Sequence, residues 1–171
     1  MSQSADELFD VVNEWDQVVG QARRHEVHAK GMMHRAVHIL VFNRAGEVFL
    51  QKRSMSKDTS PGLWDSSASG HLESGEAYDV SAVRELEEEL GLSVEGEPEA
   101  LFKVESCTQT GHEFVWVYRV EAEGPFDWNQ EEIERGEWFL PERVSQWIQE
   151  RPGELASAFR LIWLRMAGCG R

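Results

Sequence analysis

Apolar residues in this chain come in short runs separated by turn-forming clusters. Leu8–Val12 and Gln17–Ala22 flank Asn13-Glu14-Trp15-Asp16 and predict a small N-terminal hairpin over about residues 8–22. Ala36–Asn43 is a compact apolar segment, Arg44-Ala45-Gly46-Glu47 reads as a turn, and Val48–Arg53 alternates as a strand. Ser54–Gly70 is rich in Ser, Gly, Pro and Asp and reads as a long loop, a length that often marks function. Glu76–Leu90 has helical periodicity, with Gly91 as its C-cap. Ala100–Cys107 and Phe114–Val120 read as strands, and Trp138–Leu140 as a short one. Pro141 suits a helix start, with Val144–Gln149 continuing that helix. Pro152 opens a last helix, with Leu155, Phe159, Ile162, Trp163 and Met166 on one face, so the C-terminal helices occupy about 141–167. Strands mixed with a few helices predict an α/β or α+β sandwich.

At 171 residues the chain has the length of a single domain spanning 1–171. Its 41% hydrophobic residues, seven Trp among them, suffice to bury a core and argue against disorder. Lys and Arg total 17 against 31 Asp and Glu, a formal charge of −14. That balance argues against nonspecific binding to nucleic acids or anionic membranes, which needs positive charge to displace counterions. The expected partner is a small molecule, and an anion would need metal ions or a local basic cluster to receive it. Met1–Asp10 is acidic and polar and does not resemble a secretory signal. The longest clean apolar run, Phe114–Tyr118, falls far short of the roughly 20 residues of a membrane helix. Cys107 and Cys169 lie far apart without C-x-x-C spacing, so the expectation is a soluble protein of the reducing cytoplasm rather than a disulfide-bonded one. Oligomeric state is left open, and the tail Gly168–Arg171 is assigned no role.

One segment dominates the chemistry: Gly70-His71-Leu72-Glu73-Ser74-Gly75-Glu76, then Arg84-Glu85-Leu86-Glu87-Glu88-Glu89-Leu90-Gly91-Leu92. On a helix at about 100° per residue, Glu85, Glu88 and Glu89 fall within roughly a 100° arc, being spaced i, i+3 and i+4. Val83, Leu86 and Leu90 occupy another arc that faces the core, and Glu87 points away to solvent. Three carboxylates on one face repel unless a cation neutralises them, and hard oxygen ligands suit Mg²⁺ or Mn²⁺. Taken alone, such a helix reads first as a solvated acidic face, common in a chain this rich in Glu.

The loop before it changes that weighing. The segment matches G-x5-E-x7-R-E-U-x-E-E-x-G-U, with U a bulky aliphatic residue, at every fixed position. A chance match is on the order of one in a hundred million per window. From about Ala36 to Leu140 the sequence resembles the Nudix hydrolases, whose signature this is, over residues 70–92. The resemblance implies an α/β/α sandwich with a central mixed sheet, the signature forming a loop–helix–loop. It also implies Mg²⁺-dependent cleavage (Mn²⁺ being the alternative ion) of a diphosphate linked to another group X, such as a nucleoside di- or triphosphate. Carried over by position, Glu85, Glu88 and Glu89 match the metal-binding glutamates and the Gly70 carbonyl a backbone ligand. Arg84 matches the arginine that holds a catalytic carboxylate, and Glu76 the acid that braces the loop. The general base is left between Glu85 and Glu113.

A second resemblance lies outside the signature. His34-Arg35-Ala36, Gln51-Lys52-Arg53, Ser56-Lys57, Pro61-Gly62-Leu63-Trp64 and Ser69-Gly70-His71 resemble isopentenyl diphosphate isomerase and its hydrolase-like relatives. It implies that His34 and His71, with Glu113, fall where that isomerase holds a metal, and that Arg53 and Lys57 fall where it contacts the diphosphate. The alternatives are hydrogen-bonding histidines and cations that merely aid solubility at a strand edge and loop. His25, His28, His38 and His112 are read as ordinary rings, and Trp64, Trp116 and Trp138 as core residues rather than nucleobase platforms. Two departures argue for a hydrolase. Ser69 stands where the isomerase has a cysteine, and serine is a poor substitute for a thiol in proton transfer at carbon. This chain also keeps every signature glutamate. An isomerase variant and a noncatalytic binding domain remain as alternatives.

Overall fold

A computed structural model describes residues 5–169. The start of the acidic N-terminal stretch, the end of the Gly168–Arg171 tail and the Cys169 side chain lie outside the described residues. The chain opens with a hairpin of strands β1 (Leu8–Val12) and β2 (Val18–Arg23). The Asn13 side chain closes its turn by accepting hydrogen bonds from the Trp15 and Gln17 amides. A helix absent from the sequence expectations, α1 (Arg24–Lys30), follows at once. It buries only Arg24 and Val27, too few positions to reveal a period.

The apolar run becomes β3 (His34–Phe42), buried on both faces and therefore nearly continuous in apolar residues from Ala36 on, broken only by His38, rather than alternating. After β4 (Val48–Arg53), the expected loop 54–70 contains two short strands, β5 (Trp64–Asp65) and β6 (Ala68–His71). Neither carries a hydrophobic pattern, β5 being two residues long and β6 opening on Ala68, Ser69 and Gly70; the backbone ladder to β3 and β4 makes them strands. Helix α2 (Tyr78–Leu90) begins two residues inside the expected Glu76. It ends where Gly91, at φ 61°, donates to Glu87 O while Leu92 donates to Leu86 O. Strands β7 (Glu99–Val104), β8 (Glu113–Glu121) and β9 (Ile133–Phe139) follow. Strand β9 starts five residues before the expected Trp138, because its exposed Glu134, Arg135 and Glu137 hid it from hydropathy. Helix α3 (Pro141–Glu150) is followed by a single 3-10 turn at Pro152–Glu154, so the last helix, α4 (Ser157–Cys169), starts later than Pro152.

The main sheet is mixed, ordered β5-β4-β3-β8-β7, with β6 also on β3 and β9 also on β4. Strands β3 and β8 run parallel; the other pairs are antiparallel. Alternate β3 residues serve two cores. Val37, Ile39 and Val41 pack under α2 with Leu86 and Leu90, while Ala36, Leu40 and Phe42 meet α3 and α4 through Val144, Trp147, Phe159 and Trp163. The result is an α/β/α arrangement about a central mixed sheet. Val83, expected in the core, lies half-buried at the rim beside exposed Val80. No helix among the described residues is long and apolar enough to cross a membrane.

Candidate active site

Strand β6 delivers Gly70 against α2 so closely that a Cβ there would overlap the Glu85 carboxylate. Arg84 spans the same gap. It binds Glu76 through two nitrogens at 2.8 and 2.9 Å, the His71 carbonyl at 3.0 Å and Glu85 Oε1 at 2.8 Å. One guanidinium therefore fixes both the loop acid and the direction of Glu85. Glu89 is fully buried: its Oε2 accepts from the Gln51 side chain (2.7 Å) and the Ser69 amide (3.0 Å). Its Oε1 has no hydrogen-bond partner, although Lys57 Nζ lies 3.5 Å away.

A fourth acid completes the group. Glu132, in the turn before β9, pairs with Lys57 at 2.5 Å and lines one cleft with Glu85 and Glu88. Burial pushes the carboxyls of both Glu85 and Glu89 up, aided by neighbouring glutamates, and outweighs Arg84 and Lys57, which pull them down. Glu88 stands at the rim, 3.4 Å from Arg84. Acids thus outnumber the cations beside them. The unpartnered Glu89 oxygen and the all-oxygen donor set fit a hard divalent ion such as Mg²⁺ or Mn²⁺.

A second cluster shares His71 as a wall. His34 and Glu113 begin β3 and β8 and sit opposite each other in that parallel pair; His71 ends β6, and α1 supplies His28. One ligating atom from each of the four lies within 4.8 Å of the others. Glu113 Oε1 is 2.8 Å from His71 Nε2 and 3.4 Å from His34 Nε2. The far ring nitrogens are committed: His34 Nδ1 to Met32 O at 2.8 Å, His28 Nδ1 toward Asp58 at 3.4 Å, and His71 Nδ1 to Arg24 at 3.1 Å. With Nδ1 as the donor, His28 and His34 turn bare Nε2 lone pairs inward, both buried without a hydrogen-bond partner. Burial drives the His71 imidazole down to about 3, so it is neutral and donates Nε2–H to Glu113. Against burial, which would raise it, the neighbouring His71 ring holds the Glu113 carboxyl well below the usual carboxylate range. Imidazole nitrogens oriented by outer partners and turned on a carboxylate suit a transition-metal ion. Phe9 of β1 stacks over His34 and His71 at 5.7 and 4.9 Å between ring centroids and shields them.

The basic pair Arg53 and Lys57 is split by the fold, and neither residue is solvated. Lys57 joins the carboxylates. Arg53 binds Asp65 at 3.1 Å and the Thr59 carbonyl at 3.0 Å, lining a narrow cavity of about 130 Å³ with His38, Ser69, His71 and Glu113. His28, read from sequence as an ordinary ring, is carried into the histidine cluster by α1. Trp64 packs on Trp147 and Phe139, Trp116 on Tyr78, and Trp138 on Phe49. Sequence reasoning missed Glu132, Arg24 and Asp58. Glu132 sits in a Glu-rich stretch with no diagnostic spacing, and only its position just before a strand that pairs with β4 could have drawn notice. Arg24 and Asp58 carry no motif; 34 residues separate them, and they meet only in the fold, at 3.0 Å.

A family model described as NUDIX domain matches residues 32–159. An uncharacterized Nudix hydrolase of Streptomyces coelicolor is 38% identical over 98% of this chain and 95% of its own length. The uncharacterized Nudix hydrolase YfcD of Escherichia coli is 33% identical over 93% of this chain and 87% of its own. Among solved structures, DR0079 from Deinococcus radiodurans matches 88% of this chain and 92% of its own at 31% identity and a TM-score of 0.77. The NUDIX domain of Shewanella oneidensis NrtR, solved with ADP ribose, shares the fold at 16% identity and a TM-score of 0.63, over 88% of this chain and 100% of its own.

Proposed function

The chain belongs to the Nudix family and is a hydrolase of pyrophosphate-containing substrates; on that premise we propose that it cleaves a small diphosphate-containing molecule at the cleft between α2 and Glu132, using Mg²⁺ or Mn²⁺. The observation that carries this reading is the gathering of Glu85, Glu88 and Glu132 around one cleft, with the buried Glu89 close to Glu85 and Glu132 and one of its oxygens unpartnered. Glu85, Glu88, Glu89 and the Gly70 carbonyl, joined by Glu132, would hold the ion. When bound, such ions polarise phosphoryl oxygens and stabilise charge on the leaving group.

The chain's own residues do the rest. Water attacks one phosphorus: a water O–P bond forms, the bridging P–O bond breaks, and the bridging oxygen leaves with the other phosphate. Glu85 is the general base we favour for the water's proton, because burial and Glu89 raise its proton affinity while Arg84 fixes its aim. Lys57, buried beside the cleft and paired with Glu132, supplies a cation near the phosphate. Arg53 faces the narrow cavity, so in this reading it serves the far side of His71 with His34 rather than the reacting phosphates.

The test is release of phosphate, pyrophosphate or nucleotide from a panel of nucleoside di- and triphosphates, ADP-ribose and sugar diphosphates. Product that needs Mg²⁺ or Mn²⁺ supports the reading; equal release in excess chelator overturns it. A second reading is favoured by one observation, the His28–His34–His71–Glu113 cluster beside the Ser69 cavity. It is an isomerase-like enzyme acting on isopentenyl diphosphate with a transition metal at the histidines. Deuterium uptake into that substrate would favour it, and none with any metal would remove it.

A further inference from the structure

The cations of this acidic chain are nearly all neutralised within the molecule. Among the described residues, every Lys and Arg has a carboxylate at ion-pair distance except Arg160 and Arg165. Both stand on α4, in a stretch from Ser157 to Gly168 that contains no Asp or Glu. Arg160 Nε is buried without a hydrogen-bond partner, and Arg165 is exposed, its guanidinium 5.0 Å from the centroid of the Phe102 ring. At about 100° per residue the two flank Leu161 and Leu164, on the side of α4 opposite the core residues Phe159, Ile162 and Trp163. Leu161 is half-buried and Leu164 is 55% exposed.

The reverse arrangement lies on α2. A groove of about 590 Å³ on its outer side has Val80 and Val83 as its floor, Val80 being 56% exposed. Asp79, Glu87 and Glu97 stand around it and make no ion pair among the described residues. The cation that lines it, Arg84, is already held by Glu76 and Glu85 and neighbours Glu88. Asp79, Val80 and Val83 repeat the spacing of Arg160, Leu161 and Leu164 with the sign of the charge reversed. Helix α2 rests on one side of the sheet and α4 on the other, so the two outer faces point away from each other.

We infer that the outer face of α4 docks in the α2 groove of a second copy of this chain, joining molecules head to tail. In that contact Leu161 and Leu164 cover Val80 and Val83, while Arg160 and Arg165 face Asp79, Glu87 and Glu97. Contact between two copies of the same face is disfavoured, because it sets carboxylate against carboxylate at α2 and guanidinium against guanidinium at α4. The interface is therefore heterologous, and molecules add until a ring closes. One helix against one groove buries less than the roughly 1,200–2,000 Å² of stable complexes, so the association is weak and reversible. The groove shares Arg84 and Glu88 with the carboxylate cleft, so the docked copy covers one flank of that cleft. Nothing in the contact depends on the chemistry within the cleft.

Sedimentation velocity of the full chain from about 5 to about 500 µM, in about 20 mM and about 500 mM salt, measures the association. The mass is expected to rise with concentration at low salt, and the affinity to fall at least about tenfold at high salt. Val80→Lys puts a cation in the groove, and Leu164→Gln removes the apolar centre of the α4 face. Both positions are exposed, so melting temperatures should stay unchanged while each variant weakens self-association at least about tenfold. Mixed in equal amounts, the two variants should form a one-to-one dimer and nothing larger, because one native α4 face then meets one native groove. The mixture also controls for folding, since a variant that had lost its fold could not restore the contact. A monomer at every concentration, association indifferent to salt, or association that either variant leaves intact overturns the inference. So does a mixture that stays monomeric or grows past the dimer.

Discussion

The two clusters that meet at His71 make a natural comparison. On one side, three of the four acids come from a single helix within five residues, and every donor is oxygen. On the other, three imidazoles and one carboxylate come from α1, β3, β6 and β8, spread from residue 28 to residue 113. The first is built by helical spacing and the second by strand register and the docking of a short helix. They also differ in what they lack. The acidic cluster carries excess negative charge and one unpartnered oxygen, whereas the histidine cluster carries two unpartnered nitrogen lone pairs. Donor type alone therefore sorts them between a hard ion and a transition metal.

The sharpest way to break that division is Glu89→Gln. It removes one negative charge from the cleft while keeping an oxygen to accept from Gln51 and the Ser69 amide. We expect turnover to fall by about 1000-fold, comparable to losing a principal electrostatic group at a reacting phosphate. Because burial raises the Glu89 carboxyl more than Lys57 lowers it, a neutral amide there should leave the melting temperature level or higher. Phosphate-release assays and thermal melts together test this. Full activity in the variant would remove the cleft from the chemistry.

His28→Ala addresses the other cluster. Loss of one of four ligands should weaken Co²⁺ binding by about 100-fold, at the upper end of what even outer-sphere changes cost. The d–d absorption of Co²⁺ reports on it directly, and that spectrum should survive Glu89→Gln. A Co²⁺ spectrum that follows Glu89 and ignores His28 would mean the two clusters are one site, and the comparison would fail.

The same contrast explains what could be read from the sequence. The acidic helix was legible because its ligands share one element, so a fixed spacing is a fixed geometry; Gly91 and the core-facing Leu86 and Leu90 were legible for the same reason. The apolar run of β3 and the strand at β8 were visible because burial on both faces leaves few polar residues to obscure them. Glu132 and the pairing of Arg24 with Asp58 were not visible, since their neighbours in space are remote in the chain. Strand β6 was hidden for another reason: Ala68, Ser69 and Gly70 form it through the β3 ladder alone, and Gly70 must be small to admit Glu85. His28 failed as a sequence signal because α1 buries too little apolar surface to announce itself. Val83 shows the converse error, a helical position of the right residue type with no core opposite it.

The smallest expected effect tests whether the dispersed cluster depends on the hairpin that covers it. Asp16, in the hairpin turn, ties that hairpin to the body: its carboxylate accepts from Arg35 at 2.7 Å, Lys103 at 2.5 Å and the Tyr78 hydroxyl at 2.9 Å. Burial would raise this carboxyl, but those three donors outweigh it and hold it below the usual carboxylate range. A carboxyl held down in the folded state contributes stability that is fully present above its unfolded value of about 4. That contribution is lost as the pH falls through the lower folded value. Asp16→Asn should therefore cost about 1–3 kcal/mol at pH 7, and its gap to the native protein should close as the pH drops below about 4. Urea unfolding at pH 7 and at about pH 3 measures both ends, and an equal gap at the two would show that the charge is not what matters. Because the hairpin carries Phe9 over His34 and His71 and leads directly into α1, the same variant should weaken Co²⁺ at the histidines by about two- to fivefold. Mg²⁺-dependent turnover, held by α2 and Arg84, should change less. A site assembled from four elements inherits the looseness of the weakest of them, whereas a site written along one helix does not.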